Sequence, residues 1–134
     1  MKTLLNLLAV GAGGFIGSAL RQVLILAGQN GLIPLFRDSL WVNYLGCLTL
    51  GVVVTLATQT ETLSPTTRLF LATGLCGGFT TMSSFTGEWI HFLQNSEPLY
   101  AFGHISATLA GSAVLFFLGS RGTRFLVNAA KKNF

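Results

Sequence analysis

The chain has 134 residues, eight Lys or Arg against four Asp or Glu, a net charge of +4 and a mean hydropathy of +0.64. Only 9% of the residues are charged and 51% are apolar, against roughly a quarter charged in a soluble domain, which excludes an ordinary soluble fold. The basic residues are scattered over loops and ends rather than gathered into a patch, so no nucleic-acid partner is expected.

The first apolar run extends from about Leu4 to Ala27. It begins after a lysine, as a secretory leader would, but it continues through Gly11, Gly13, Gly14 and Gly17 without a clear cleavage site. It therefore reads as a retained first helix. Ala9, Gly13 and Gly17 have small-xxx-small spacing, which lets helix backbones approach closely. Arg21, near the far end, reads as a side chain snorkelling to the interface, an anion-attracting charge at a pore mouth, or a structural contact. The second run, about Leu40 to Ala57, carries Asn43 within Trp41-Val42-Asn43-Tyr44-Leu45-Gly46. Its amide needs partners in an apolar setting, either another helix or a permeating ion.

The third run, about Leu69 to Phe92, contains Gly74-Leu75-Cys76-Gly77-Gly78-Phe79-Thr80-Thr81-Met82-Ser83-Ser84-Phe85. Three glycines and four hydroxyl residues predict a broken helix, because each Gly costs about 1 kcal/mol relative to Ala in a helix. Non-helical backbone at membrane depth is tolerated only where protein buries it or a watery path runs beside it, so this segment points to permeation. Glu88 is the only acid within a predicted span. It is neutralised by burial, hydrogen-bonded to hydroxyls, or open to a vestibule. The fourth run, about Tyr100 to Leu118, places His104, Thr108 and Ser112 on one helix face. That stripe is a hydrophilic track or a seam of helix–helix hydrogen bonds.

Each run is long enough to cross a ~30 Å apolar core, and the connectors contain Pro34, Pro65 and Pro98. The expectation is a single all-α membrane domain over residues 1–134, with four transmembrane helices (about 4–27, 40–57, 69–92 and 100–118), the third broken, and both termini on one side. So small a bundle has little interior, so its polar residues should find partners in a second copy. Cys47 and Cys76 lie in apolar runs without metal-ligand spacing and read as structural. No nucleophile–base pairing is visible around His91 or His104, so the chain is not read as an enzyme.

Gly13-Gly14-Phe15-Ile16-Gly17-Ser18-Ala19-Leu20-Arg21, Val42-Asn43-Tyr44-Leu45-Gly46, and above all Thr73-Gly74 through Ser84-Phe85 followed by Glu88 are the decisive motifs. With them the whole chain resembles the Fluc (CrcB-type) family of small fluoride channels, whose third-helix pattern is close to TGxxGGxTTFSTF. The resemblance implies an antiparallel, dual-topology dimer in the bacterial inner membrane. It would export fluoride passively through two pores around one structural sodium ion. The sodium is implied at the backbone carbonyls of Gly77 and Thr80. The fluoride pathway is implied along Phe85, Met82, Asn43, Ser112, Thr108, His104, Glu88, Ser83 and Thr81, with Arg21 at the pore mouth or structural. Met82 stands where the family has the first phenylalanine of its ring box, Ser84 replaces a Thr, and Gln22 replaces an aromatic. A thioether lacks the ring quadrupole, so an altered rate is expected rather than a dead pore.

The charge distribution sits awkwardly with dual topology. Lys2, Arg68, Arg121, Arg124, Lys131 and Lys132 fall on the side of the termini, against Arg21 and Arg37 opposite, which favours one orientation with cytoplasmic termini. A homodimer is favoured over pairing with an oppositely oriented homologue, because the chain keeps both the sodium and the pore motifs. A proton-coupled small multidrug exporter would share the size and span number. It needs a carboxylate in the first helix, and Leu4–Ala27 has none. A structural subunit without a pathway would leave the polar stripe unexplained.

Overall fold

The computed structural model describes residues 1–60 and 63–132. Helix α1 (Lys2–Gln29) ends before a turn through Gly31, whose φ of 77° suits a residue without Cβ, and a 3₁₀ turn follows at Pro34–Phe36. Helix α2 (Ser39–Gln59) starts on Asp38, whose carboxylate accepts the Leu40 N–H at 3.1 Å. Helix α3 (Pro65–Arg68) has Ser64 as its cap and proline in its first turn. It runs into a π-helical stretch, Leu69–Cys76, and then α4 (Gly77–Phe79). After two extended residues come α5 (Met82–Gln94) and α6 (Pro98–Lys132), the longest element at 35 residues.

The interruption does not fall on the glycines. Gly74, Gly77 and Gly78 all lie in helical backbone, and the chain becomes extended at Thr80 (φ −74°, ψ 155°) and Thr81 (φ −145°, ψ 126°). Gly74 and Gly78 serve packing instead. A Cβ on Gly74 would run into Val10 and Gly13 backbone, and one on Gly78 into Gly14 backbone. From the other side, Gly13 and Gly17 of α1 press on the backbone of Phe70 and Leu75. The glycines' helical cost is offset because two backbones meet without side chains between them. The apolar run of the fourth helix stops near residue 118, but α6 continues to Lys132: no proline follows Leu118, Gly119 packs on the Leu48 backbone, and the last turn carries Lys131 and Lys132 at its favoured end.

Helix α1 packs chiefly on the π-helical stretch and α4, and α2 lies along α6, which also receives α5. Both chain ends sit at one end of the bundle. Thr66 Oγ1 donates to Asn6 Oδ1 at 2.8 Å, and Lys131 Nζ donates to the Gln59 carbonyl at 3.2 Å. The apolar core is small: Val42, Val53, Cys76, Phe85 and Ala101 are buried, whereas Phe15, Phe102, Phe117 and Phe125 lie 61–75% exposed. In water such surface would forfeit about 25 cal/mol per Å²; against lipid tails it costs nothing. Helices α1, α2 and α6 are each long and apolar enough to cross a bilayer, and the chain is a membrane protein.

Because the seam between α1 and the π-helical stretch has no room for a Cβ, Gly17→Val should destabilise the fold by about 1–3 kcal/mol. Gly11 on the same helix has nothing within 4 Å of the position a Cβ would take, so Gly11→Ala should be neutral or stabilise by up to about 1 kcal/mol. Detergent-solubilised thermal melts of the two variants check the contrast.

Candidate functional site

A break in a buried helix frees peptide groups that must find partners. Asn43, 8% exposed on α2, supplies them to Thr81. Its Oδ1 accepts the Thr81 N–H at 2.7 Å, and its Nδ2 donates to the Thr81 carbonyl at 3.1 Å. Thr81 then caps α5, its Oγ1 accepting the Ser84 N–H at 3.2 Å. Thr80 closes the preceding turn, with N–H and Oγ1 both donating to the Cys76 carbonyl at 3.0 Å. The Arg21 guanidinium reaches from α1 and donates to the Thr80 carbonyl at 3.0 Å. Arg21 thus makes a direct contact with the break from α1.

Among the carbonyls that the break frees are those of Gly77 and Thr80. The N–H four residues beyond Gly77 is that of Thr81, which goes to Asn43, and the one beyond Thr80 is that of Ser84, which goes to the Thr81 hydroxyl. Gly77 and Thr80 line one cleft of about 300 Å³ together with Asn43, Thr81, Met82, Phe85, Thr108 and Ser112. Phe85 is buried and Met82 is 67% exposed. Ser83 is exposed and stays within 3.2 Å of the Thr81 hydroxyl rather than lining the cleft.

Thr108 behaves unlike other helical threonines. Thr49, Thr58, Thr86 and Thr123 each return their hydroxyl to the carbonyl four residues back, at 2.8, 3.0, 2.9 and 2.8 Å. Thr108, 4% exposed, has no hydrogen-bond partner among the described residues. A buried hydroxyl left unpaired costs about 1–3 kcal/mol, and this one borders the cleft.

Above the cleft, Glu88 accepts from Ser39 twice, from its N–H at 2.8 Å and from its hydroxyl at 2.6 Å. The carboxylate thus sits on the N-terminus of α2, where negative charge is favoured. His104 Nε2 lies 3.3 Å from Glu88 Oε2 without hydrogen-bond alignment, and its ring stacks on Phe85 at 5.6 Å and 20°. Phe92 packs against the same ring in a tilted arrangement, its centroid also 5.6 Å away. The arrangement joins three of the candidate residues (Phe85, Glu88 and His104) through Ser39 and Phe92, which sequence reasoning missed. Ser39 carries no signal beyond following a capping Asp, and only the tertiary fold brings α5 across the start of α2. Cys47 and Cys76 also line the cleft.

Residues 8–120 match the CrcB-like protein family, camphor resistance (CrcB). The chain belongs to the CrcB family. Among its relatives, a protein of Chlorobium phaeobacteroides named "Fluoride-specific ion channel FluC" is 40% identical over 122 residues, covering 90% of this chain and 93% of the relative. One of the same name from Chlorobium chlorochromatii is 39% identical over 123 residues, covering 90% and 94%. Another from Serratia proteamaculans is 38% identical over 115 residues, covering 84% and 89%. These relatives are named as ion channels rather than as enzymes.

The Asn43–Thr81 contact generates a stability prediction. Asn43→Ala strands the Thr81 N–H, at about 1–3 kcal/mol, whereas the Thr81 carbonyl keeps the intrahelical donor of a cap position. Asn43→Asp keeps an acceptor for the N–H and should fall between wild type and Asn43→Ala. Chemical denaturation in detergent, with hydrogen exchange at the Thr81 amide, reads both effects.

Proposed function

We propose that this CrcB chain is a fluoride-selective channel that lowers cytoplasmic fluoride by passive export across the bacterial inner membrane. The observation that carries the reading is the cleft beside the break, where Phe85 and the unpartnered Thr108 hydroxyl meet, in a chain that matches proteins named fluoride-specific ion channels over nine-tenths of its length. Fluoride is small and strongly hydrated, so a path must replace its water with donors. Ring edges carry the positive part of the aromatic quadrupole, and the Thr108 and Ser112 hydroxyls and one Asn43 amide hydrogen add neutral donors. No Lys or Arg lines the cleft among the described residues, and the Arg21 guanidinium is engaged at the Thr80 carbonyl. A path of weak donors without a fixed cation lets the ion leave as readily as it enters.

The cleft is open along one side of the single subunit, with Met82 and Gly77 exposed there. A second, antiparallel copy would close it, giving a multi-pass dimer with two pathways. The Lys and Arg distribution opposes dual insertion: with Arg21 engaged at the break, Arg37 is left as the outlying cation of its side. Retention of a complete set of break and cleft residues supports the homodimer, with lipid around its exposed apolar faces. The freed Gly77 and Thr80 carbonyls fit a sodium ion. They are hard oxygen donors, and the Arg21 hydrogen bond uses one of the two lone pairs on the Thr80 oxygen. When bound between two copies, the ion would offset the carbonyl dipoles and tie the two breaks together.

Proteoliposomes holding only this chain should release fluoride and retain chloride; comparable release of both removes the reading. Phe85→Ala should cut fluoride release by about tenfold or more while the dimer still forms. Met82→Phe should change it modestly. Full activity of Phe85→Ala in an intact dimer would reduce Phe85 to a packing residue.

Gly77 has open space beside it in the single subunit, with nothing within 4 Å of a Cβ position. A severe effect of Gly77→Val on dimer assembly, alongside a mild effect of Thr80→Ser, is therefore the signature of a second copy or an ion seated at the break. Gly77→Val chains that assemble and conduct like wild type would remove the sodium site.

A further inference from the structure

His104 is one of two histidines in the chain, and its setting is built from several elements. Its side chain is 9% exposed, stacked on Phe85 and in tilted contact with Phe92 of α5, and neither ring nitrogen has a hydrogen-bond partner among the described residues. From α5 it faces the Glu88 carboxylate at 3.3 Å. Asp38, which caps α2, lines the same groove, as does Tyr100 from its own helix. No Lys or Arg lines that groove among the described residues. Among the groove-lining residues the imidazole is thus the one that can acquire positive charge, with Arg37 adjacent in the chain to Asp38.

We propose that the His104–Glu88 pair is a proton-operated charge gate on the fluoride pathway, opening it further in acid; the proposal rests on the fluoride-channel reading above. Ser39 donates two hydrogen bonds to Glu88, and an ionised carboxylate offers acceptors only. The Glu88 side chain is therefore held in place beside His104, whose ring stacks on the Phe85 that borders the cleft. With His104 neutral, the pair carries one negative charge, which repels an approaching anion. With His104 protonated, Nε2–H faces Glu88 Oε2 and the pair is neutral, and the imidazolium lies over the Phe85 face, an attractive cation–π arrangement. Imidazole is the side chain that most readily gains a proton in mild acid, and gaining it here cancels the charge of the pair. The sign is fixed by the charges: fluoride passes faster as pH falls and more slowly as it rises.

The test is fluoride release from proteoliposomes of the full chain with equal pH inside and out, stepped from about pH 8 to about pH 5. Release from protein-free vesicles, which hydrogen fluoride leaves unaided, is subtracted. Wild type should gain roughly fivefold to tenfold across the interval, the scale set by cancelling one charge a few ångströms from the ion. His104→Gln should flatten the profile, while His91→Gln, which alters the other, exposed histidine, should keep it. Glu88→Gln should raise release at the alkaline end and shrink the pH dependence, and it decides the matter if His104→Gln does not assemble. A flat wild-type profile, or a wild-type slope in His104→Gln or Glu88→Gln, overturns the gate and leaves the channel standing. Absence of fluoride release at every pH removes the channel reading, and the gate falls with it.

Discussion

The double hydrogen bond between the Asn43 amide and the Thr81 peptide is the contact on which the rest of the site depends. A chain that leaves its helix inside an apolar bundle exposes an N–H and a carbonyl with no water to receive them, and each would cost a few kcal/mol if left alone. Asn43 mimics the missing peptide partner with both ends of one side chain. That allows α4 to stop and α5 to restart in the space of two residues. It also frees the Gly77 and Thr80 carbonyls, since the donors that would have closed onto them are drawn elsewhere.

A second constraint holds the break in place from behind. The π-helical stretch before it is pressed against α1 so closely that backbone meets backbone at Gly13, Gly17, Gly74 and Gly78. Wide-turned helix of this kind is rare and clusters at functional sites. Here it lets Leu69–Cys76 stay hydrogen-bonded while lying flat on α1. The same approach delivers Arg21 from α1 to the Thr80 carbonyl, so the packing seam and the polar site are one construction.

Charge is handled sparingly. The Arg21 guanidinium is held on a carbonyl, Glu88 on the start of α2, and His104 against two phenylalanines beside Glu88. What remains lining the cleft among the described residues is neutral: a phenylalanine ring, aliphatic side chains, a thioether, thiols, hydroxyls and an amide. Thr108 stands out within it because its hydroxyl has not been returned to its own helix.

Much of this was legible in the chain itself. Low charge and long apolar runs determined a helical membrane protein, since lipid admits no other way to satisfy so much backbone without alternating strands. The glycine and hydroxyl run between Thr73 and Phe85 marked the third helix as special, and its pattern pointed to the CrcB family. The cause of the break was not legible, because glycine's weak helix propensity and its value in close packing make the same mark on a sequence. Only the packing against α1 decided that the glycines stay helical and that Thr80 and Thr81 carry the interruption. The pairing of Asn43 with Thr81, 38 residues apart, and of Glu88 with Ser39, 49 residues apart, likewise came from tertiary structure alone. Local sequence specifies which groups need partners; which partner each one finds depends on helix faces meeting in space, and no local propensity encodes that.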